Sequence, residues 1–281
     1  MPRPALLVVL ALLAAVLAGC GMKAEPTGAI DPYPTHAVDA SGQPVSVTAE
    51  PTRIVSADPG ASAVLRDLGL GSVVVVAMPA GVGTAAADPT TALVVVPLSL
   101  DDAALQQLGR ATAAPIFRYG ADPLSSAPTV VTQLGIAVGR GPAAATVAQA
   151  MAAGFATLAD RLHDETAVRT LIEGAGFTAF GPATPAGLAV AAAGGENVVP
   201  GDTQLDPARI RGLDVAAWVA LQPGGSTIAS LQGFPELATV PALEANRVIP
   251  MPADGYPIDA ALPQALQALA DDLHAAPVAS G

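Results

Sequence analysis

Apolar residues recur along residues 141–163 with the spacing of one long helix. The large apolar side chains are Val147, Met151, Phe155, Leu158 and Leu162, and their spacing keeps them on one helical face. About twenty residues that each rise by about 1.5 Å make a rod of roughly 30 Å, which is the width of a small domain. The pattern predicts either an amphipathic helix within a single core or a helix that joins two halves of the protein.

The residues before this helix alternate between short apolar strands and helices. A β-hairpin is predicted at 36–48, with its turn at 39–42. Further strands are predicted at 53–56, 73–77, 93–96 and 115–117. Helices are predicted at 61–68, 100–108 and 127–134, and loops at 78–84 and 118–123. Strands that alternate with helices are typical of a parallel sheet with helices on both faces.

The same pattern starts again after the long helix. Strands are predicted at 170–172, 177–180, 194–199, 215–221 and 247–250. Helices are predicted at 185–193, 207–212 and 241–245, and a last one carries Leu262, Leu266, Leu269 and Leu273 on one face. This weak internal repeat favours an α/β fold of two small lobes, each with a central, mostly parallel sheet flanked by helices, joined by one long backbone helix. The predicted boundaries are 35–140 for the N-terminal lobe, 141–163 for the connecting helix and 164–281 for the C-terminal lobe.

The amino terminus has the pattern of an export signal. Arg3 precedes an apolar run of about fifteen residues, which suits a secretory signal peptide at 1–19 and is short for a membrane span. The run ends in Leu17-Ala18-Gly19-Cys20, which resembles the lipobox of bacterial lipoproteins, and Cys20 is the only cysteine. We expect a lipid on Cys20, a tether at 20–34 and a protein anchored to the outer face of the cell membrane. A plain signal peptide with an incidental cysteine, or an uncleaved anchor, are the alternatives.

Charge and composition exclude one class of partner. The formal net charge is -12, and Lys23 is the single lysine among twelve basic residues. Because no basic run is present to meet phosphates, we expect no binding to nucleic acid.

The sequence contains no convincing catalytic or metal-binding pattern. The three histidines, His36, His163 and His274, lie far apart with no second ligand at metal spacing. Residues 174–179 match the dinucleotide pattern G-x-G-x-x-A, but they lead into a strand where that pattern requires a helix. We therefore expect neither an enzyme nor a resident metal or cofactor.

The loops that follow the predicted strands are the expected ligand site, because ligands of open parallel sheets bind at the carboxyl ends of the strands. The candidate ligand-binding residues in these loops are Asp58, Met78, Arg118, Tyr119, Phe180, Gln222 and Tyr256. Arg118 and Tyr119 suit an anionic or chelate-like ligand, or else they are a surface arginine with a capping tyrosine. Trp218 lies inside a predicted strand and is expected in the core.

Three stretches carry a resemblance to a known family. Residues 38–77 (VDASGQPVSVTAEPTRIVSADPGASAVLRDLGLGSVVVVA) resemble the start of the helical-backbone substrate-binding proteins of bacterial ABC importers. Residues 193–221 (AGGENVVPGDTQLDPARIRGLDVAAWVAL) and 234–256 (FPELATVPALEANRVIPMPADGY) are similar to the second lobe of that family. The resemblance implies two α/β lobes on one helix, a ferric siderophore, haem or cobalamin bound between them, and delivery to a membrane permease.

The sequence departs from the family at the positions that usually meet the permease. Members of the family carry one glutamate on an exposed helix of each lobe for this contact. Here residues 84–90 have no glutamate, and the second position falls at Ala208, beside Asp206. Two hypotheses therefore stay open. One is a lipid-anchored receptor of an importer, and the other is a non-transport lipoprotein that retains the fold as a ligand sensor or as a partner of envelope proteins.

Overall fold

The computed structural model describes residues 32–275. The predicted signal peptide, the lipidation site at Cys20 and most of the predicted tether lie outside these residues. Tyr33 and the chain that follows it form one compact unit.

The first half of this unit is a four-stranded parallel sheet preceded by a hairpin. Its elements are β1 (Thr35–Val38), β2 (Pro44–Val47), β3 (Ile54–Ser56), α1 (Pro59–Leu65), β4 (Val74–Val76), α2 (Val82–Ala86), β5 (Leu93–Pro97), α3 (Asp102–Ala111), β6 (Ile116–Tyr119) and α4 (Ala127–Ala137). The strand order is β4-β3-β5-β6, and every pairing within this sheet is parallel. The hairpin β1–β2 is antiparallel, as its alternating sequence predicts.

The long helix α5 (Gly141–Leu162) follows, with Pro142 in its first turn. It buries Ala144, Ala148, Met151 and Leu158, and it packs against α4. By length and composition alone, α5 is apolar enough to cross a membrane, with a mean hydropathy of 1.2. In this fold its apolar face is used for packing between secondary-structure elements, as in the core helices of globular proteins.

The second half contains a mixed sheet. Its elements are β7 (Val168–Glu173), β8 (Thr178–Ala179), α6 (Pro185–Ala192), β9 (Gly195–Asn197), β10 (Thr203–Gln204), α7 (Pro207–Ile210), β11 (Ala217–Gln222), α8 (Ile228–Leu231), α9 (Pro241–Glu244), β12 (Val248–Pro252) and α10 (Leu262–Leu273). The strand order is β10-β8-β7-β11-β12, and β9 also pairs with β7. Strands β7, β9, β11 and β12 are parallel, and α10 packs on α5.

Apolar side chains cover both faces of each sheet. One core cluster runs from Ile54 and Phe117 of the first sheet, through Met151 of α5, to Ile172 and Val219 of the second sheet. Separate clusters lie on the opposite faces, around Val94 and Val96 in the first half and around Leu171 and Trp218 in the second. Adjacent strand residues point to opposite faces, so each strand contributes to two clusters. The predicted α/β architecture, with two lobes joined by one long helix, is confirmed.

Several local predictions need correction. Residues 78–84, predicted as a loop, contain a short 3₁₀ turn at Pro79–Gly81 and the start of α2. Strand β6 extends to Tyr119, so Arg118 and Tyr119 lie in the strand and not in the loop after it. Strand β8 is antiparallel to β7, and β10 and α8 have no counterpart among the predicted elements.

Candidate functional site

Two contacts join segments that follow parallel strands of the two halves. The parallel strands of the first sheet end at Ser56, Val76, Pro97 and Tyr119, and those of the second at Glu173, Asn197, Gln222 and Pro252. The phenol of Tyr119 donates a hydrogen bond to the backbone carbonyl of Ile258, at 2.6 Å, and so joins the two halves. Gly60, after β3, also lies against Ile258, where a Cβ would come within 2.6 Å of the Ile258 backbone nitrogen.

Asp58 lies beside this contact and caps α1. Its carboxylate accepts a hydrogen bond from the backbone nitrogen of Ala61 at 2.8 Å, which is the usual role of aspartate before a helix. Burial raises the pKa of Asp58 above its ordinary value, although hydrogen bonds from the Ala61 and Gly60 backbone oppose the shift. Asp58 is therefore a partly buried acid at the interface of the halves.

Tyr119 is a core residue and is 1% exposed. Burial, followed by the negative charges of Asp58 and Asp259, raises the pKa of Tyr119 well above its ordinary value. Asp58 belongs to the first half and Asp259 to the second, so carboxylates from both halves lie close to one phenol. The neutral phenol is engaged in holding Ile258 and is not presented at the surface.

Arg118 points away from Tyr119, because adjacent strand residues alternate between faces. Its Nη2 donates to the backbone carbonyls of Leu98, at 2.5 Å, and Leu100, at 3.2 Å. Its Nε is buried without a hydrogen-bond partner. Arg118 therefore positions the loop that follows β5.

Two of the predicted residues are available at the surface of this region. Met78, after β4, is 76% exposed, and Tyr256, after β12, is half-buried. Burial and the negative charge of Asp272 raise the pKa of Tyr256, so its phenol is neutral at physiological pH. These two side chains offer a thioether and a hydroxyl from opposite halves.

The remaining predicted residues lie in the second half. Gln222 ends β11, and its Nε2 donates to the carbonyl of Gly225 at 3.2 Å. The ring of Phe180 packs against Gly174, where a Cβ would come within 2.8 Å of the ring. Phe180 follows β8, which is antiparallel to β7. The Phe180 carbonyl accepts a hydrogen bond from Asn197 Nδ2, and this bond holds Phe180 near the end of the parallel strand β9.

Glu173, at the end of β7, is a member of this region that the sequence analysis missed. It is 1% exposed and accepts hydrogen bonds from Ser226, through the backbone nitrogen at 2.9 Å and Oγ at 3.0 Å. Trp218 Nε1 also donates to it, at 3.4 Å, and Trp218 is fully buried as predicted. The sequence does contain a signal for this buried acid, because Glu173 comes directly after the apolar residues Leu171 and Ile172 of the predicted strand.

A pocket of about 440 Å³ opens beside Met78 on the outer face of the first sheet. Its walls come from the segments after β4 and β5 and from α3, and the lining residues are Pro79, Ala80, Val82, Gly83, Thr84, Leu100, Ala104, Gln107, Leu108 and Ala111. None of these side chains carries a charge. The loop that Arg118 holds supplies Leu100 to this wall.

The histidines lie outside this region. His36 is on the hairpin and bonds Ser46, His163 follows α5, and His274 lies next to Glu165. Within residues 32–275, no group of three or more His, Cys, Asp or Glu residues is arranged to hold a metal ion.

Comparisons with known proteins identify the fold. No protein-family profile matches the chain, and no curated protein matches it in sequence. Solved structures do match. The haem-binding protein HmuT is 18% identical, with a TM-score of 0.68 over 88% of this chain and 92% of its own. The periplasmic haem-binding protein RhuT from Roseiflexus sp. RS-1 is 19% identical, with a TM-score of 0.65 over 79% of this chain and 97% of its own.

A third match binds a different ligand. The molybdate periplasmic binding protein MolA of a Haemophilus influenzae ABC transporter is 17% identical, with a TM-score of 0.66 over 85% of this chain and 91% of its own. All three are binding proteins and not enzymes. At these identities the likeness establishes the architecture. The chain has the fold of the helical-backbone periplasmic binding proteins of ABC importers.

Proposed function

We propose that this protein is an extracytoplasmic solute-binding protein of an ABC import system. It captures an iron chelate, either a siderophore or haem, or a corrinoid between its two lobes. The observation that carries the proposal is the hydrogen bond from Tyr119, at the carboxyl end of β6 in the first sheet, to Ile258, in the segment that follows β12 of the second sheet. Ligands of open parallel sheets bind at such edges. The haem bound by HmuT and RhuT supports this ligand class.

Anchoring is part of the proposal. The apolar run that ends in Leu17-Ala18-Gly19-Cys20 supports removal of residues 1–19, lipidation of Cys20 and attachment to the outer face of the cell membrane. A tether at 20–34 then links the folded lobes to the lipid.

Met78 and Tyr256 are the proposed ligand contacts with the best access. Asp58, Phe180 and Gln222 support the same region from the loops behind them. Arg118 and Tyr119 act indirectly, since their polar groups are engaged with the carbonyls of Leu98, Leu100 and Ile258.

A second candidate function is a non-transport lipoprotein that acts as a ligand sensor or as a partner of envelope proteins. The observation that favours it is the absence of the usual glutamates at the expected permease contacts. Helix α2 has five residues and no glutamate, and Ala208 is exposed where the second acid is expected. Asp206 is exposed nearby, but its carboxylate caps α7 by accepting from the Ala208 backbone nitrogen. Co-transcription with permease and ATPase genes supports transport, whereas neighbouring envelope-assembly genes support this alternative.

A binding titration tests the proposal. The chain from residue 21 onward is titrated with a ferric siderophore, haem and cyanocobalamin, and the fluorescence of Trp218 reports capture by energy transfer to these coloured ligands. We expect binding of one class, and we expect Tyr256→Ala and Met78→Ala each to weaken it by about 1 to 2 kcal/mol, the usual cost of truncating an anchoring side chain.

Gln149→Ala is the matched control. Gln149 is an exposed residue within the long helix α5 and belongs to none of the loops that follow the strands, so its truncation leaves affinity unchanged. Absence of binding to all three ligand classes contradicts the proposal.

A further inference from the structure

A second cavity, of about 280 Å³, lies within the second half of the molecule. Its walls are the segment that follows β9, the strand β10, the short helix α7 and the turn after α7, all within residues 198–213. Val199 and Leu205 line it and belong to the apolar cluster around Leu171 and Trp218, which covers the outer face of the second sheet. The cavity is therefore separate from the region between the two halves.

Two charged side chains of opposite sign line this cavity. Arg209 comes from α7, and Asp202 comes from the segment just before β10. Both residues are exposed, and they form no ion pair with each other. Within residues 32–275, the guanidinium of Arg209 has no hydrogen bond or ion pair at all. The uncharged pocket beside Met78 offers no such pair of groups.

The carboxylate of Asp202 is held in place by a neighbouring segment. Its Oδ1 accepts a hydrogen bond from the backbone nitrogen of Gly181 at 2.8 Å. The two segments are closely packed there, because a Cβ on Gly181 would lie 2.6 Å from the Cα of Gly201. The second carboxylate oxygen has no partner among the described residues, so it remains able to accept from an ammonium group.

Further donors lie on the same stretch as Asp202. The backbone nitrogens of Gly201 and Asp202 donate no hydrogen bond within the described part of the chain, and neither does the hydroxyl of Thr203. All three residues line the cavity. Together with the guanidinium of Arg209, they supply the kind of donor set that binds a carboxylate, for which arginine provides two parallel N–H groups.

The rest of the lining and the size of the cavity restrict the ligand further. The aliphatic side chains of Val198, Val199, Leu205 and Leu213 line it, and no aromatic residue does. Ligand cavities usually measure roughly 300–1,000 Å³, so this one lies at the small end of the range. It suits a metabolite with a short aliphatic chain and is too small to enclose a haem or a siderophore.

We propose that this cavity binds a small zwitterion with an aliphatic side chain, that is, an α-amino acid of the leucine or valine type. The ligand carboxylate pairs with Arg209, the ammonium group pairs with Asp202, and the side chain lies on the aliphatic lining. A ligand that carries both charges gives each unpaired group a partner, whereas the two protein charges do not reach each other. The site is additional to the one between the lobes and does not depend on the proposed receptor function.

The test compares L-leucine with three probes that each lack one of its groups. The probe 4-methylpentanoate lacks the ammonium group, 3-methylbutylamine lacks the carboxylate, and glycine keeps both charges but lacks the side chain. Saturation-transfer NMR measures each dissociation constant with the chain from residue 21 onward, which contains the whole compact unit. We expect L-leucine to bind about fivefold or more tightly than each of the three probes.

Charge-neutralising variants assign the two contacts. Arg209→Gln and Asp202→Asn are each expected to weaken L-leucine about two- to fivefold, as for other exposed charge pairs. Asparagine keeps the side-chain oxygen that accepts from Gly181, so this variant retains the local structure. We expect Arg209→Gln also to weaken 4-methylpentanoate but not 3-methylbutylamine, and Asp202→Asn to do the reverse.

Arg211→Gln is the matched control. Arg211 is exposed two residues after Arg209 and does not line the cavity, so this variant makes the same change in net charge without touching the site. Its affinity for L-leucine is expected to equal that of the unaltered chain. The fluorescence of Trp218, which belongs to the apolar cluster that contains Val199 and Leu205, checks that each variant is folded.

Three results would overturn the proposal. The first is no binding of L-leucine at millimolar concentrations. The second is equal affinity for L-leucine and 4-methylpentanoate, which would define a site for carboxylates alone. The third is L-leucine binding that neither Arg209→Gln nor Asp202→Asn weakens, which would place the amino acid elsewhere. None of these results affects the proposed receptor function, which the titration with siderophore, haem and cyanocobalamin tests separately.

Discussion

At the scale of single residues, Gly60 sets how closely the two halves approach. It is the second residue of α1, is buried and lies against the backbone of Ile258. A Cβ there would lie 2.6 Å from the nitrogen and 2.7 Å from the carbonyl oxygen of Ile258. The contact involves backbone on the Ile258 side, so a larger residue cannot be accommodated by a change of side-chain rotamer.

Substitution of Gly60 tests this close approach. Gly60→Ala is expected to lower the free energy of unfolding by about 1 to 3 kcal/mol, because overpacking forces the backbone of Ile258 and the Tyr119 hydrogen bond to shift. Chemical denaturation measures the change.

Gly83→Ala is the matched control. Gly83 also lies in a short helix, but a Cβ there meets nothing within 4 Å. Alanine is the better helix former, so this variant is expected to be neutral or up to about 1 kcal/mol more stable. Equal stability changes in both variants would show that the contact with Ile258 is unimportant.

The burial and secondary structure of single residues could be predicted from the sequence only in part. Trp218 was expected in the core from its place within an apolar strand, and it is fully buried. Arg118 and Tyr119 were expected in a loop, but strand β6 continues through both. Burial alternates along residues 116–119, but their polarity does not, because Ile116 and Phe117 are both apolar. Only pairing with β5 shows where the ladder ends.

At the scale of elements, Glu173 joins three parts of the second half. It ends β7 and receives hydrogen bonds from Ser226, in the loop after β11, and from Trp218 within β11. A buried carboxylate without a cationic partner is stable only when such donors satisfy it. Glu173 therefore fixes the loop that carries one wall of the proposed site.

Glu173→Gln tests this role. The amide keeps one carbonyl oxygen, which can accept from the Ser226 backbone nitrogen and from Trp218, and its NH2 group replaces the oxygen that faces Ser226 Oγ. Charge-assisted hydrogen bonds are therefore replaced by weaker neutral ones. We expect a loss of about 2 to 3 kcal/mol in unfolding free energy, together with a change in Trp218 fluorescence of the native protein.

Glu196→Gln is the corresponding control. Glu196 on β9 is exposed, and its carboxylate has no hydrogen-bond partner among the described residues. Its effect is expected to stay within about 0.5 kcal/mol. A Glu173→Gln variant as stable as this control would contradict the structural role of the buried carboxylate.

Element type was predictable where the apolar pattern was long or strongly alternating. The hairpin, α5, α10 and the parallel strands of the first sheet fall close to their predicted positions. Two-residue strands were not predictable, because β8 and β10 contain too few positions for a pattern to develop. Their antiparallel pairing depends on contacts between residues 178–179 and 203–204, which are distant in sequence.

At the scale of the whole molecule, the two halves share a core. The main apolar cluster includes Leu65 and Tyr119 from the first half, Met151 from α5, and Val190 and Leu266 from the second half. Burial of apolar surface is the main stabilising contribution in folding, so neither half keeps its full core without the other.

Thermal unfolding tests this interdependence. Calorimetry of the chain from residue 21 onward is expected to show a single cooperative transition, with equal calorimetric and van't Hoff enthalpies. Two resolved transitions would mean that the halves are energetically independent despite the shared cluster. A ligand bound between the halves is expected to raise the transition temperature by mass action.

The sequence by itself determined the α/β class, the long connecting helix and the alternation of strands and helices on either side of it. These features depend on local periodicity and on the spacing of turn residues, which the sequence contains directly. Only the tertiary structure decided which polar groups are already satisfied by the protein. Arg118 and Tyr119 are engaged by Leu98, Leu100 and Ile258, while the carboxylates of Asp122 and Asp254 have no hydrogen bond or ion pair within residues 32–275. The reason is that hydrogen-bond partners are residues that are far apart in sequence and meet only when the two halves fold against each other.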